Sequence, residues 1–205
     1  MRIHSQSFPS LGPIPGEYAY GVPGSNRPVV DGPNRNPHLA WDDVPGGTQS
    51  FVLICVDDDV PSVFDDANRP GRVIAHDLPR RDFIHWVMID IPASLREIAA
   101  GSCSDGVRPG GKRQPSGPAG TRQGVNDFSS PGADHYGYDG PCPPWNDERM
   151  HHYHFRLYAL DVPLLGLSGR FTAADALGRM QGHVLAMAQH TGRYSLNRTL
   201  RGMPD

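Results

Sequence analysis

The residues best suited to chemistry lie in three stretches. HHYH (151–154) follows the stiff turn GPCPP (140–144), His85 sits inside FIHWVMIDIP (83–92), and Asp57 ends SFVLICVD (50–57). Histidines, a tyrosine and a carboxylate gathered in one place could serve as metal ligands, as an acid–base centre, or as donors to a small anion. A catalytic zinc takes three protein ligands and a structural zinc four. The chain has no HExxH or CxxC spacing, and DDVPSVFDD lacks the glycine and closing glutamate of a calcium loop. A hydrolase needs an activated nucleophile, and there is no GxSxG elbow. Cys142 could be activated by His151, although a thiol between prolines reads more readily as a small space-filler.

Strand periodicity divides the histidines. On a strand, alternate side chains share a face, so His151, Tyr153, Phe155, Leu157 and Ala159 point one way. His152, His154, Arg156 and Tyr158 point the other. By the same rule His85 shares a face with Phe83, Val87, Ile89 and Ile91. For an anion pocket, Asp57 would accept from an imidazole, fix its tautomer and raise its pKa. His85, His151 and Tyr153 would donate to the oxyanion, joined by backbone N–H groups of the turn at Gly140. Prolines at the rim lower the ordering cost of binding. Acid–base or hydrolytic chemistry at Asp57, His85 and His151 stays open as the alternative.

These residues need a scaffold, and the pattern predicts a β-rich one. The apolar runs 50–57, 83–92 and 151–162 are strands, and the first reads as covered on both faces. The 24 glycines and 21 prolines of the 205 residues are dispersed between the runs, as in a domain of many turns. Residues 1–37 read as a surface arm and 101–137 as a loop long enough to suspect function. Thr172 and Asp175 have capping-box spacing. Leu177, Met180, Val184 and Met187 then form a helical stripe, and Gly192 suits its stop, so 172–192 is expected to be helical, with Gly178 and Gly182 allowing a break. No domain boundary is evident, and a single domain over 1–205 is expected.

A formal charge of -3 and scattered arginines, with Lys112 as the one lysine, exclude a nucleic-acid surface. No run is long enough to span a bilayer. With no apolar leader and with Cys55, Cys103 and Cys142 odd in number, the expectation is a soluble cytoplasmic protein with reduced thiols.

Taken together, four segments carry a family resemblance: VDDDVPS (56–62), FIHWVMIDIPAS (83–94), YDGPCPPWNDERMHHYHFRLYALD (138–161) and GHVLAMAQHTGRYSLNR (182–198). The chain resembles the phosphatidylethanolamine-binding proteins, in their bacterial and archaeal Raf kinase inhibitor-like branch. The resemblance implies an all-β dominated fold, an antiparallel β-sandwich with a small C-terminal helical element. It implies a non-enzymatic protein without cofactors or metal, binding phosphate, a phospholipid head group or a carboxylate, and regulating a kinase or peptidase. A homodimer stays open. The implied pocket comprises Asp57, Val60, Pro61, His85, Trp86, Gly140, Cys142, Pro143, Pro144, His151 and Tyr153. Three departures stand out. Asp58 replaces a usual proline, Val60 a usual alanine, and His152 takes the arginine position of His-Arg-Tyr.

Overall fold

The computed structural model describes residues 1–201. Its centre is a five-stranded antiparallel sheet built on β5 (Ser50–Pro61), with β6 (Arg80–Pro92) on one side and β9 (His151–Leu160) on the other. Short β8 (Arg122–Gln123) extends it past β6, and β10 (Val184–Tyr194) past β9. The apolar run of β5 is covered on both faces, as its lack of alternation requires. Phe51, Leu53 and Cys55 face a core with Trp86, Tyr138, Phe155 and Leu157. Val52 and Ile54 face a second core with Val87, Ile89, Phe171 and Met180.

The first core is closed by a three-stranded sheet of β1 (Arg2–His4), β4 (Leu39–Asp42) and β7 (Glu97–Ile98). Ile3, Leu39, Trp41 and Ile98 project from it into that core. A third small sheet is the hairpin of β2 (Gly21–Pro23) and β3 (Val29–Asp31). The second core is closed by α1 (Ala173–Met180), which buries Ala173, Ala176 and Met180. The short α2 (Arg198–Arg201) ends the described chain.

Two expectations are corrected here. Residues 1–37 are more than a surface arm, because Phe8, Ile14, Tyr18 and Ala19 are buried in the first core. The helical element also stops early. The Thr172–Asp175 capping box forms in both directions, but Gly182 turns the chain at φ +81° and the rest is the edge strand β10. Val184 and Met187, read as part of a buried helical stripe, are 44% and 51% exposed on it. Gly192 pairs with Tyr153 in mid-strand rather than ending a helix.

The N-terminal segment packs so closely on Gly192 that a Cβ there would meet Ile14 and Phe8 at about 2.5 Å. Gly192→Val is therefore expected to destabilise the protein by about 1–3 kcal/mol through overpacking, measured by urea unfolding.

Two bulges in the β5–β6 ladder decide where the site can form. Cys55 pairs with Trp86 but Val56 pairs with Ile84, so His85 is the extra residue. A bulge puts two successive side chains on one face. His85 and Trp86 therefore both face the first core, and Val87 and Ile89 fall on the second. The face assigned to His85 by simple alternation, with Val87 and Ile89, is thereby corrected. A second slip, between Asp57–Phe83 and Val60–Arg81, brings Asp57 and Val60 to the same side.

Candidate functional site: a small pocket over a charged ring

At the end of the first core, β5, β6, β9 and the proline turn enclose a pocket of about 180 Å³. Asp57, Val60, His85, Cys142, Pro143, Pro144, His151 and Tyr153 line it. Three expected residues do not. Trp86 is buried against Tyr138, with its indole N–H donating to Gln123 Oε1 at 2.7 Å. Pro61 ends β5 opposite Arg80. Gly140 lies against the Tyr18 carbonyl, and its N–H donates to Asn34 Oδ1 at 2.8 Å, so it offers no donor to a ligand. In their place Phe64, Asn68, Phe83 and Phe128 complete the wall.

His151 is wholly buried and both of its ring nitrogens are engaged. Nδ1 is 2.7 Å from Asp57 Oδ2 and Nε2 is 3.1 Å from Asp147 Oδ2. Only an imidazolium donates from both nitrogens. Burial opposes that charge, but the Asp57 carboxylate and the hydrogen bonds to Asp147 and Asp57 outweigh it and raise the pKa to about 9. The expectation that His151 donates to a ligand is corrected on this geometry, since it has no proton left to offer.

The contacts continue into a closed ring. Arg80 grips Asp147 with Nη1 at 2.6 Å and Nη2 at 3.0 Å, and Nη1 also donates to the Asp59 carbonyl at 2.9 Å. The Asp59 N–H returns to Asp57 Oδ1 at 2.9 Å. Positive and negative groups alternate through Arg80, Asp147, His151 and Asp57, so each buried charge meets its opposite.

His85 is arranged differently. Its Nδ1 lies 2.7 Å from the Asp139 carbonyl. A carbonyl can only accept, so Nδ1 carries the proton and neutral His85 presents a bare Nε2. That atom makes no hydrogen bond and stands 4.0 Å from Asp57 Oδ2. Burial lowers the His85 pKa, and the nearby Asp57 and Asp139 only partly offset it. Asp139 is itself held by Asn34, Asn126, His135 and Lys112. Burial works against its ionisation, but the Lys112 charge and these hydrogen bonds bring its pKa below the usual carboxylate range. The long 101–137 loop thus supplies Lys112, Asn126 and His135 to position His85, and Phe128 to the wall. Its length signalled importance; the individual residues carried no pattern.

The remaining candidates separate cleanly. His152 and His154 sit on the opposite face, bonded to Asp59 and Asp58. Asp58 therefore puts its charge away from the pocket. Among the described residues no group of three or more His, Cys, Asp or Glu side chains is placed to hold a metal. Burial, with Asp31 adding, pushes the Cys142 thiol up to about 11. A thiol so high is a poor nucleophile at neutral pH, and Cys142 is expected to react with iodoacetamide at pH 7.5 at least tenfold more slowly than free cysteine, as followed by mass spectrometry.

The match to known proteins agrees with this frame. Residues 4–195 match the family described as phosphatidylethanolamine-binding protein. The chain belongs to that family. It is 34% identical over 196 residues to a UPF0098 protein of Aquifex aeolicus, covering 95% of this chain and 88% of the relative. It is 33% identical over 165 residues to the UPF0098 protein YbhB of Escherichia coli K12, covering 80% and 84%. The crystal structure of E. coli YbcL, described as a new member of the mammalian PEBP family, is similar at TM-score 0.69 and 25% identity. That match covers 95% of this chain and 97% of YbcL. A PEBP homologue of Chlamydia trachomatis, CT736, gives 0.64 at 28% identity over 95% and 96% of the two chains. As in a β-sandwich of this family, the sheets here are antiparallel and helices are few. Among the described residues no helix is long and apolar enough to cross a membrane.

Proposed function

We propose that the pocket binds one small oxyanion, a phosphate-type or carboxylate group, without turning it over. The observation that carries this reading is the bare His85 Nε2 in a pocket of about 180 Å³. When Nε2 gains a proton it becomes a charge-assisted donor to an anion. The Tyr153 hydroxyl, buried beside Asp57 but without a hydrogen bond of ordinary geometry, adds a polar group that a ligand would satisfy. Asp57 does not repel such a ligand strongly, because its carboxylate is tied to His151 and to the Asp59 N–H. A hydrogen phosphate also carries its own hydroxyl to donate to Asp57. Phosphate should therefore bind more tightly than sulfate, which has no hydroxyl at neutral pH.

The volume suits a head group and leaves no room for acyl chains, so a phospholipid would be held by its head alone. Without a lowered thiol pKa or a hydroxyl hydrogen-bonded to a free base, the pocket has no poised nucleophile, which favours binding over hydrolysis. Family resemblance makes regulation of a kinase or peptidase the fitting role, and three unbridged thiols suit a reducing, cytoplasmic setting. Calorimetric titration with phosphate and acetate tests the reading. Tyr153→Phe should weaken phosphate about tenfold or less, the scale of one hydrogen bond. Turnover of a panel of phosphate and carboxylate esters, abolished by Asp57→Asn, would contradict it.

A further inference from the structure

The turn PPWND (143–147) faces two ways. Pro143 and Pro144 line the pocket, whereas Trp145 and Asn146 line a separate open groove of about 540 Å³. Three arginines, Arg27, Arg72 and Arg198, stand on the walls of that groove, and among the described residues no carboxylate does. This is a concentrated positive site on a chain whose formal charge is -3. Among the described residues only Arg72 of the three has an ion pair, a long one of 3.5 Å to Asp66.

Each arginine is delivered by a fixed element. Arg27 lies at the tip of the β2–β3 hairpin, whose Gly21 carbonyl accepts from the Tyr194 hydroxyl. Arg72 lies in a loop that Asn146 holds through the carbonyls of Asp66 and Arg72. Arg198 opens α2, just after Asn197, whose side chain donates to the Asp147 carbonyl at 2.8 Å. Asp147 in turn grips His151. Asn68 lines the pocket and accepts from the Trp145 N–H, so pocket and groove share one wall and one frame.

The geometry points to a second anion site in this groove, acting with the first. The ligand it fits is a small molecule bearing two phosphoryl or carboxylate groups, one over His85 and one on the arginines. This rests on the pocket reading above. Guanidinium forks suit both groups through paired hydrogen bonds. Linking two anions makes the second contact intramolecular, and affinity rises only when the linker spans both sites.

The probes are ethyl phosphate and a series of straight-chain alkanediol bisphosphates. His85 is followed by NMR and the groove by Trp145 fluorescence. One bisphosphate length should bind at least tenfold more tightly than ethyl phosphate. The combined variant Arg27→Gln, Arg72→Gln and Arg198→Gln should bring that ligand down to the ethyl phosphate level, with inorganic phosphate unchanged within about twofold. These side chains are exposed, and circular dichroism would check that the variant folds. Bisphosphates binding no better than ethyl phosphate would overturn the second site while leaving the pocket reading intact. An equal loss of both ligands in the variant, or arginine-dependent binding of anionic vesicles without a bisphosphate preference, would overturn it too. If no phosphate perturbs His85, the pocket reading fails, and the two-site ligand with it.

Discussion

His151→Gln is expected to lose about 3–5 kcal/mol of stability, the cost of leaving buried charges without their partner. Glutamine fills similar space but cannot stay cationic between Asp57 and Asp147, two carboxylates that are almost wholly buried. Arg80 would still neutralise Asp147, so the orphaned charge would be that of Asp57. The effect has a definite pH signature. His151 has a folded pKa of about 9 against about 6.5 in an unfolded chain. A group raised on folding contributes fully below its unfolded pKa and loses that contribution as pH rises through the folded value. The stability difference between wild type and His151→Gln should thus be greatest near pH 6 and shrink between pH 6.5 and 9. Urea unfolding at four or five pH values measures it. A difference that is constant over that range would show His151 to be neutral in the fold.

The second large effect concerns His85 and has a pH dependence of different origin. Its pKa lies below the ordinary histidine value, with burial as the main cause, so the free pocket holds a neutral imidazole at pH 7. Binding a fully ionised anion recruits a proton to Nε2. Sulfate keeps a constant charge above pH 5, and its affinity should rise about tenfold for each unit of falling pH above the His85 pKa. The rise should level off once His85 is protonated in the free protein. His151, with its pKa of about 9, stays charged up to about pH 8 and adds no slope there. In His85→Phe, sulfate binding should fall more than tenfold and the slope should vanish, with the fold retained because the position already packs among Phe83, Phe128 and Tyr153. A persistent slope in that variant would assign the proton to another group.

Much of this arrangement was legible in the sequence because burial leaves a strong pattern. The unbroken apolar run of β5 announced a strand covered on both faces, and alternation in β9 separated His151 and Tyr153 from His152 and His154. Alternation failed in β6, where one extra residue at His85 moves Trp86 onto the same face. Nothing in the identities of Ile84, His85 and Trp86 marks a bulge, which arises from pairing with β5. The helical reading of 184–192 failed for a related reason. Leu177, Met180, Val184 and Met187 occur at spacings that suit a helix, but the open edge of β9 pairs with Val184 and Met187. Partners distant in sequence were also hidden. Arg80, Asp139 and Asp147 look like ordinary surface charges until the fold brings them under the pocket.

The central claim is that the two pocket histidines hold opposite states: His151 a permanent imidazolium in a structural ring, His85 a neutral ring that takes a proton with the ligand. Nitrogen-15 NMR of the imidazoles at pH 7.5, before and after saturation with phosphate, tests it most directly. The predicted result is a His151 protonated on both nitrogens in both spectra, and a His85 that moves from the Nδ1–H tautomer towards the imidazolium as phosphate binds. A His85 unchanged at saturating phosphate, or a His151 that is neutral at that pH, would contradict it.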